Sequence, residues 1–95
     1  MKFAYLIMGA FDEKTDRAEI HNGTAQIIGV ANIEDAIKTA CKLQDEGVDC
    51  IELCGAFGEE GARKIIKATQ NQIPIGYITH LREQDEVYNK FFPNW

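Results

Sequence analysis

A carboxylate, a thiol and an imidazole are placed where this chain could do chemistry. Glu52 and Cys54 lie two residues apart in Ile51-Glu52-Leu53-Cys54-Gly55-Ala56-Phe57-Gly58, an apolar run that breaks into a glycine-flanked turn, and His80 closes a later apolar run. Alternate residues of a strand share a face, so Glu52 points the same way as Cys50 and Cys54, with roughly 7 Å of rise between Glu52 and Cys54. A carboxylate in a central strand must be paired, protonated or solvated, because burying it alone costs several kcal/mol. Glu52 therefore reads either as a ligand contact or general base, or as a structural carboxylate bonded to backbone or to a charge across a subunit interface.

Cys54 ends its strand beside a helix N-terminus, whose positive dipole end favours a nucleophilic thiolate. Glu59 and Glu60 in the same turn oppose that effect, and a buried cysteine acting as a small apolar residue is the competing reading. His80 faces the same end of the sheet as Cys54, although a strand-end histidine is commonly just a hydrogen-bonded surface residue. His21 falls at the opposite end. Ligand spacing does not support a Glu52/Cys54/His80 metal site, and we expect neither metal nor cofactor. Gly55-x-x-Gly58-x-x-Gly61 lacks the G-x-G-x-x-G spacing of a dinucleotide loop, and two glutamates occupy the turn where a pyrophosphate would sit. The glycines instead suit a positive-φ turn, and the charges suit a polar neutral or cationic small molecule.

The elements that must position these groups follow from the apolar pattern. Phe3 to Met8 is apolar throughout and reads as a first strand covered on both faces. Residues 9–23 form a long polar connection, of a length typical of lids and binding loops, with one helical turn around 15–19. Residues 24–30 make a second strand and a candidate edge. A helix follows, with Ile33, Ala36, Ile37, Ala40 and Cys41 inward, Asn32 as N-cap, Asp35 as capping-box partner, Glu34–Lys38 as an i,i+4 pair and Gly47 as its stop. Residues 48–54 are the third strand. A second helix over 59–70 turns Ala62, Ile65, Ile66 and Thr69 inward and pairs Glu59 with Arg63 and Glu60 with Lys64. Residues 73–80 are the fourth strand, and a helix over 83–92 presents Val87, Tyr88 and Phe91 before Pro93.

Strands alternating with helices predict a single α/β domain over residues 1–95, built on a small open, mainly parallel four-stranded sheet of flavodoxin-like order 2-1-3-4. Helices are expected on both faces, the two middle ones on one and the 9–23 segment with the C-terminal helix on the other. The alternative is a βαβαβ fragment of barrel type. In the 2-1-3-4 order the winding reverses between the first and third strands, and ligands bind beyond the carboxyl ends at such a reversal. The expected ligand surface sets Met8, Gly9 and Phe11 opposite Cys54, Gly55, Phe57 and Gly58, with Glu52 and His80 adjoining.

Fifteen acids against ten Lys and Arg give a net charge of −5, with the basic residues scattered along the sequence. That balance repels phosphate backbones and anionic membranes, so neither nucleic acid nor membrane is an expected partner. The first apolar run is too short to span a bilayer and lacks a signal-peptide cleavage pattern. Cys50 and Cys54 on one strand stand about 13 Å apart, too far for a disulfide, so reduced thiols and a cytoplasmic location are expected. A domain of this length buries roughly 60–65% of its unfolded surface, a narrow margin that homo-oligomerisation would relieve. Tyr88, Phe91, Phe92 and Trp95 either close onto the domain's own sheet or form a subunit contact.

The octapeptide at 51–58, the helix ending Glu46-Gly47 before it and Ile73-Pro74-Ile75-Gly76-Tyr77 after it resemble a family of short prokaryotic proteins of unknown function. That family's pattern is a strand ending Gly-Val, an amphipathic helix, an I-E-L-C-G-x-F-G signature and a Pro-Val-Gly-type strand. The resemblance spans residues 27–78 and implies membership without assigning chemistry. The same stretch is similar to a βαβαβ piece of a (β/α)₈ barrel, where glutamates at strand ends bind substrates. Three functions compete: a small-molecule-binding or regulatory oligomer, a lyase- or isomerase-type enzyme using Glu52 with Cys54 or His80, and a structural partner protein. The missing acid–base–nucleophile constellation favours the first.

Overall fold

A computed structural model of the chain describes residues 1–93, so Trp95 lies outside the described residues. Its elements are β1 (Phe3–Met8), β2 (Arg17–Ile20), β3 (Ala25–Val30), α1 (Ile33–Asp45), β4 (Cys50–Leu53), α2 (Gly58–Ala68), β5 (Ile75–Tyr77) and α3 (Asp85–Phe91), with 3₁₀ turns at Gly55–Phe57 and Arg82–Gln84. One sheet runs in the order β2-β3-β1-β4-β5. β1 is parallel to both β3 and β4, β4 is parallel to β5, and β2 is antiparallel to β3. The four expected strands thus stand in the expected 2-1-3-4 order, and the class is α/β. A barrel fragment would set successive strands side by side in chain order, so the reversal at β1 removes that alternative.

The fifth strand corrects the reading of residues 9–23. Where a helical turn was expected at 15–19, Arg17–Ile20 pairs with β3 from Arg17↔Ile28 to Ile20↔Ala25, so the second strand is not an edge. Left-handed backbone at His21, Asn22 and Gly23 (φ 49°, 56° and 85°) reverses the chain tightly enough for this pairing. The fourth strand is shorter than expected, three residues rather than eight. Pro74 leads into it, and the last ladder bond, from the Ile78 N–H to the Leu53 carbonyl at 2.9 Å, ends it.

The two middle helices share one face, as expected. The connections β3 to β4 and β4 to β5 travel the same way across the sheet, and right-handed crossovers then put α1 and α2 on the same side. Under them lie Ala4, Leu6, Ile28, Val30, Ile51 and Leu53, all buried to within 1%. The other face corrects the expectation of helices on both sides. Of the 9–23 segment, Phe11 is seated against Gly29 on that face and Ala18 and Ile20 of β2 extend it beside Ile27 and Ala25, while α3 packs on its own 3₁₀ turn and on His80. Phe3 and Ile27 on this face remain 42% and 40% exposed.

Local signals in α1 hold: Asn32 Oδ1 accepts the Asp35 N–H at 2.8 Å, and Gly47 ends the segment at φ 88°. Its buried stripe is Ala36, Thr39, Ala40 and Leu43, whereas Ile33, Ile37 and Cys41 are only half-buried. The stripe turns because α1 packs on both the sheet and α2. In α2, Ala62, Ile65 and Thr69 are buried, Glu59 pairs with Arg63 at 2.6 Å, and Glu60 pairs with Arg63 at 3.1 Å rather than with Lys64. Among the described residues no helix is long and apolar enough to cross a membrane.

A Cβ at position 29 would stand 2.6 Å from Cβ and Cγ of Phe11. Gly29→Ala should therefore destabilise the fold by about 1–3 kcal/mol in a denaturant melt, the usual cost of forcing extra carbon into a packed contact. The same change in a Phe11→Ala background should cost far less, and equal costs in both backgrounds would show that the ring is not the obstacle.

Candidate functional site

The reversal in winding places the β1 and β4 strand ends side by side. Cys54 N–H donates to the Leu6 carbonyl at 3.0 Å, and the Met8 N–H donates to Cys54 Sγ at 3.3 Å, so the thiol bridges the two ends. It is only 8% exposed. Met8 is half-buried and Gly9 exposed, with the Gly9 N–H donating to the Val30 carbonyl. Phe11 folds back over Gly9 and Gly29. Gly55 is exposed and opens the 3₁₀ turn against the Ile78 carbonyl, and Gly58 takes the left-handed conformation at φ 61° that lets α2 begin. Phe57 is a core residue that supports this turn from beneath, against Gly61.

Glu52 lies on the open face, not in the strand-end crevice. It is exposed, its register neighbours are Tyr5 on β1 and Gly76 on β5, and its carboxylate lies flat over Gly76, where any Cβ would collide with it. The Cys50 thiol donates to Glu52 Oε1 at 3.5 Å. Burial pushes that thiol's pKa above its ordinary value, and the hydrogen bond to Glu52 and the carboxylate's charge push it further. Tyr5 is also raised, first by burial and then by the nearby Cys54.

His80 is not gathered with these groups. Its Nε2 meets Asp85 Oδ1 at 2.7 Å and its ring stacks on Tyr88 with centroids 3.8 Å apart, which fastens α3 to the end of β5. Among the described residues no cluster of His, Cys, Asp and Glu could hold a metal ion. Two grooves of about 330 and 340 Å³ open elsewhere, and neither is lined by an expected site residue.

The apolar surround of Glu52, made by Phe3, Tyr5, Ile7 and Ile27, was not expected as a site, although the alternation Phe3-Tyr5-Ile7 against Ala4-Leu6 carries it in the sequence. Over residues 1–93 the chain matches DUF6506, a family of unknown function. The chain belongs to DUF6506. No curated protein and no solved structure matches it.

In this DUF6506 chain the Glu52–Cys50 contact can be read chemically. Glu52→Gln removes the charge that disfavours the Cys50 thiolate, so the thiol's pKa falls and its fraction of thiolate at a fixed alkaline pH rises. Labelling of Cys50 by a small thiol reagent should speed up several-fold, with Cys54 unreactive on the same timescale. An unchanged Cys50 rate would show that the two side chains do not meet in solution.

Proposed function

We propose that the chain is a small-molecule-binding homo-oligomer in which a second copy covers the open sheet face and encloses a polar neutral or cationic ligand against Glu52. The observation that carries this reading is a carboxylate beside the apolar, aromatic strand β1, on a sheet face that no helix covers among the described residues. Soluble monomers rarely expose contiguous apolar patches beyond a few hundred Å². Five strands of three to six residues, at roughly 3.3 Å rise and 4.8 Å spacing, offer somewhat under 400 Å². That is a little under half of one partner's usual share of about 800 Å², and the C-terminal arm, with Phe91 74% and Phe92 58% exposed, supplies further apolar area.

Covering the face buries Glu52, and a buried carboxylate needs a counter-charge or dense hydrogen bonding. An ammonium or polyhydroxyl ligand provides either, with Tyr5 giving an aromatic wall and the exposed backbone at Gly9 and Gly55 extending the surface to the strand ends. The lyase or isomerase alternative needs Glu52 to work with Cys54 or His80, yet each of those is engaged elsewhere, with Met8 and with Asp85. The three thiols are unbridged, which suits a reducing cytoplasm.

Light scattering should give a mass above one chain for the native protein and one chain for Ile27→Asp, with circular dichroism unchanged. Phe91→Ser/Phe92→Ser should lower the mass if the arm joins the contact. Tetramethylammonium should raise the melting temperature of the native protein in a saturable way, and not that of Glu52→Gln. A native mass of one chain removes the oligomer; a native oligomer indifferent to ammonium and polyol ligands leaves a structural partner protein.

A further inference from the structure

The groove between α1 and the β2 hairpin lies on the helical face, away from Glu52, and its lining is of the opposite sign. Lys14 comes to it from the 9–23 connection, Arg17 from β2, and Lys38 and Lys42 from α1. Two carboxylates, Glu13 and Glu46, also border it, so cations outnumber anions there two to one in a chain whose acids outnumber its bases. None of the four cations is in an ion pair among the described residues. In particular, Lys38 does not make the expected contact with Glu34.

A line of lysines on one helix is usually just a solvated face. Here the charges converge from two segments far apart in sequence, the 14–17 stretch and α1, on a concavity of about 340 Å³, within the range of small-molecule sites. Its floor is built: Ile28 and Leu43 are buried and apolar, and Thr39, about nine-tenths buried, adds a hydroxyl group. Arg17 is held in place, its guanidinium donating to Gln26 Oε1 at 3.1 Å and to the Glu13 carbonyl at 3.5 Å. Such a tethered fork matches a phosphate or carboxylate, and the lysines add charge without demanding one geometry.

We propose that this groove binds a small organic anion, its phosphate or carboxylate head among Arg17, Lys38 and Lys42 and its carbon body on Ile28 and Leu43. The site is independent of the sheet-face reading, since none of its residues lies on that face. Titrating the full chain with inorganic phosphate and with succinate at physiological salt, followed by amide NMR, tests it. Saturable shifts confined to residues 14–17 and 38–43 are expected from at least one of the two, and which one responds distinguishes a phosphoryl from a carboxylate head. Lys38→Glu/Lys42→Glu should weaken binding by at least about tenfold through loss and reversal of charge. Arg17→Lys should weaken it several-fold although the charge is kept, and Lys64→Glu/Lys67→Glu on α2 should leave it unchanged. If the reversed pair does not fold, Lys38→Gln/Lys42→Gln replaces it. Shifts that fail to saturate, that spread over all lysines, or that survive in the α1 variants overturn the proposal.

Discussion

The connection from β1 to β3 crosses the sheet in one direction and the two helical connections cross it in the other, so right-handedness assigns them to opposite faces. The chain uses the first connection for an edge strand instead of a helix. One face is therefore covered by α1 and α2, and the other is left without a layer among the described residues. The two strand glycines on that bare face adapt to the gap: at Gly29 the Phe11 ring, and at Gly76 the Glu52 carboxylate, lie directly on the backbone where a covering helix would otherwise press. The same choice makes the basic groove, because β2 extends the sheet past the edge of α1.

What the sequence showed was local. Asn32 accepting the Asp35 N–H, Gly47 ending α1 and Glu59 meeting Arg63 each depend on residues within a turn of one another. Strand order was legible because Phe3–Met8 is apolar at every position, which a central strand needs. That same uniformity hid the open face: an apolar Phe3, Tyr5 and Ile7 look alike in sequence whether a helix covers them or nothing does. β2 was hidden for another reason. Arg17-Ala18-Glu19-Ile20 is short and exposed throughout, with too little apolar pattern to read as a strand even though Asn22-Gly23 after it is a recognisable hairpin turn signal. For the sites, alternation put Glu52 and Cys54 on one face, but their surroundings depend on Gly76 and Met8, far away in sequence. Lys14, Arg17, Lys38 and Lys42 could not be grouped at all before the hairpin was known.

Three cysteines occupy three different physical settings. Cys41 directs its thiol to the Ala68 carbonyl at 3.5 Å, joining α1 to α2. Cys50 points at a carboxylate, and burial first and that carboxylate second raise its pKa. Cys54 accepts a backbone N–H from the neighbouring strand, a weak bond that nevertheless gives the end of β1 a partner beyond the last ladder residue of β4. Each sulfur thus meets a different partner: a helix-end carbonyl, a carboxylate and a strand-end amide.

The sheet ends in two blunt borders. On one side β2 is four residues long and carries Arg17 and Glu19; on the other β5 is three residues long and follows Pro74. Short, charged or proline-flanked borders make poor templates for adding another strand. A chain with a bare apolar face and long sticky borders would tend to stack and lengthen into fibres. Here both borders are poor templates for sideways growth, so the bare face does not come with the long free edges from which fibres lengthen.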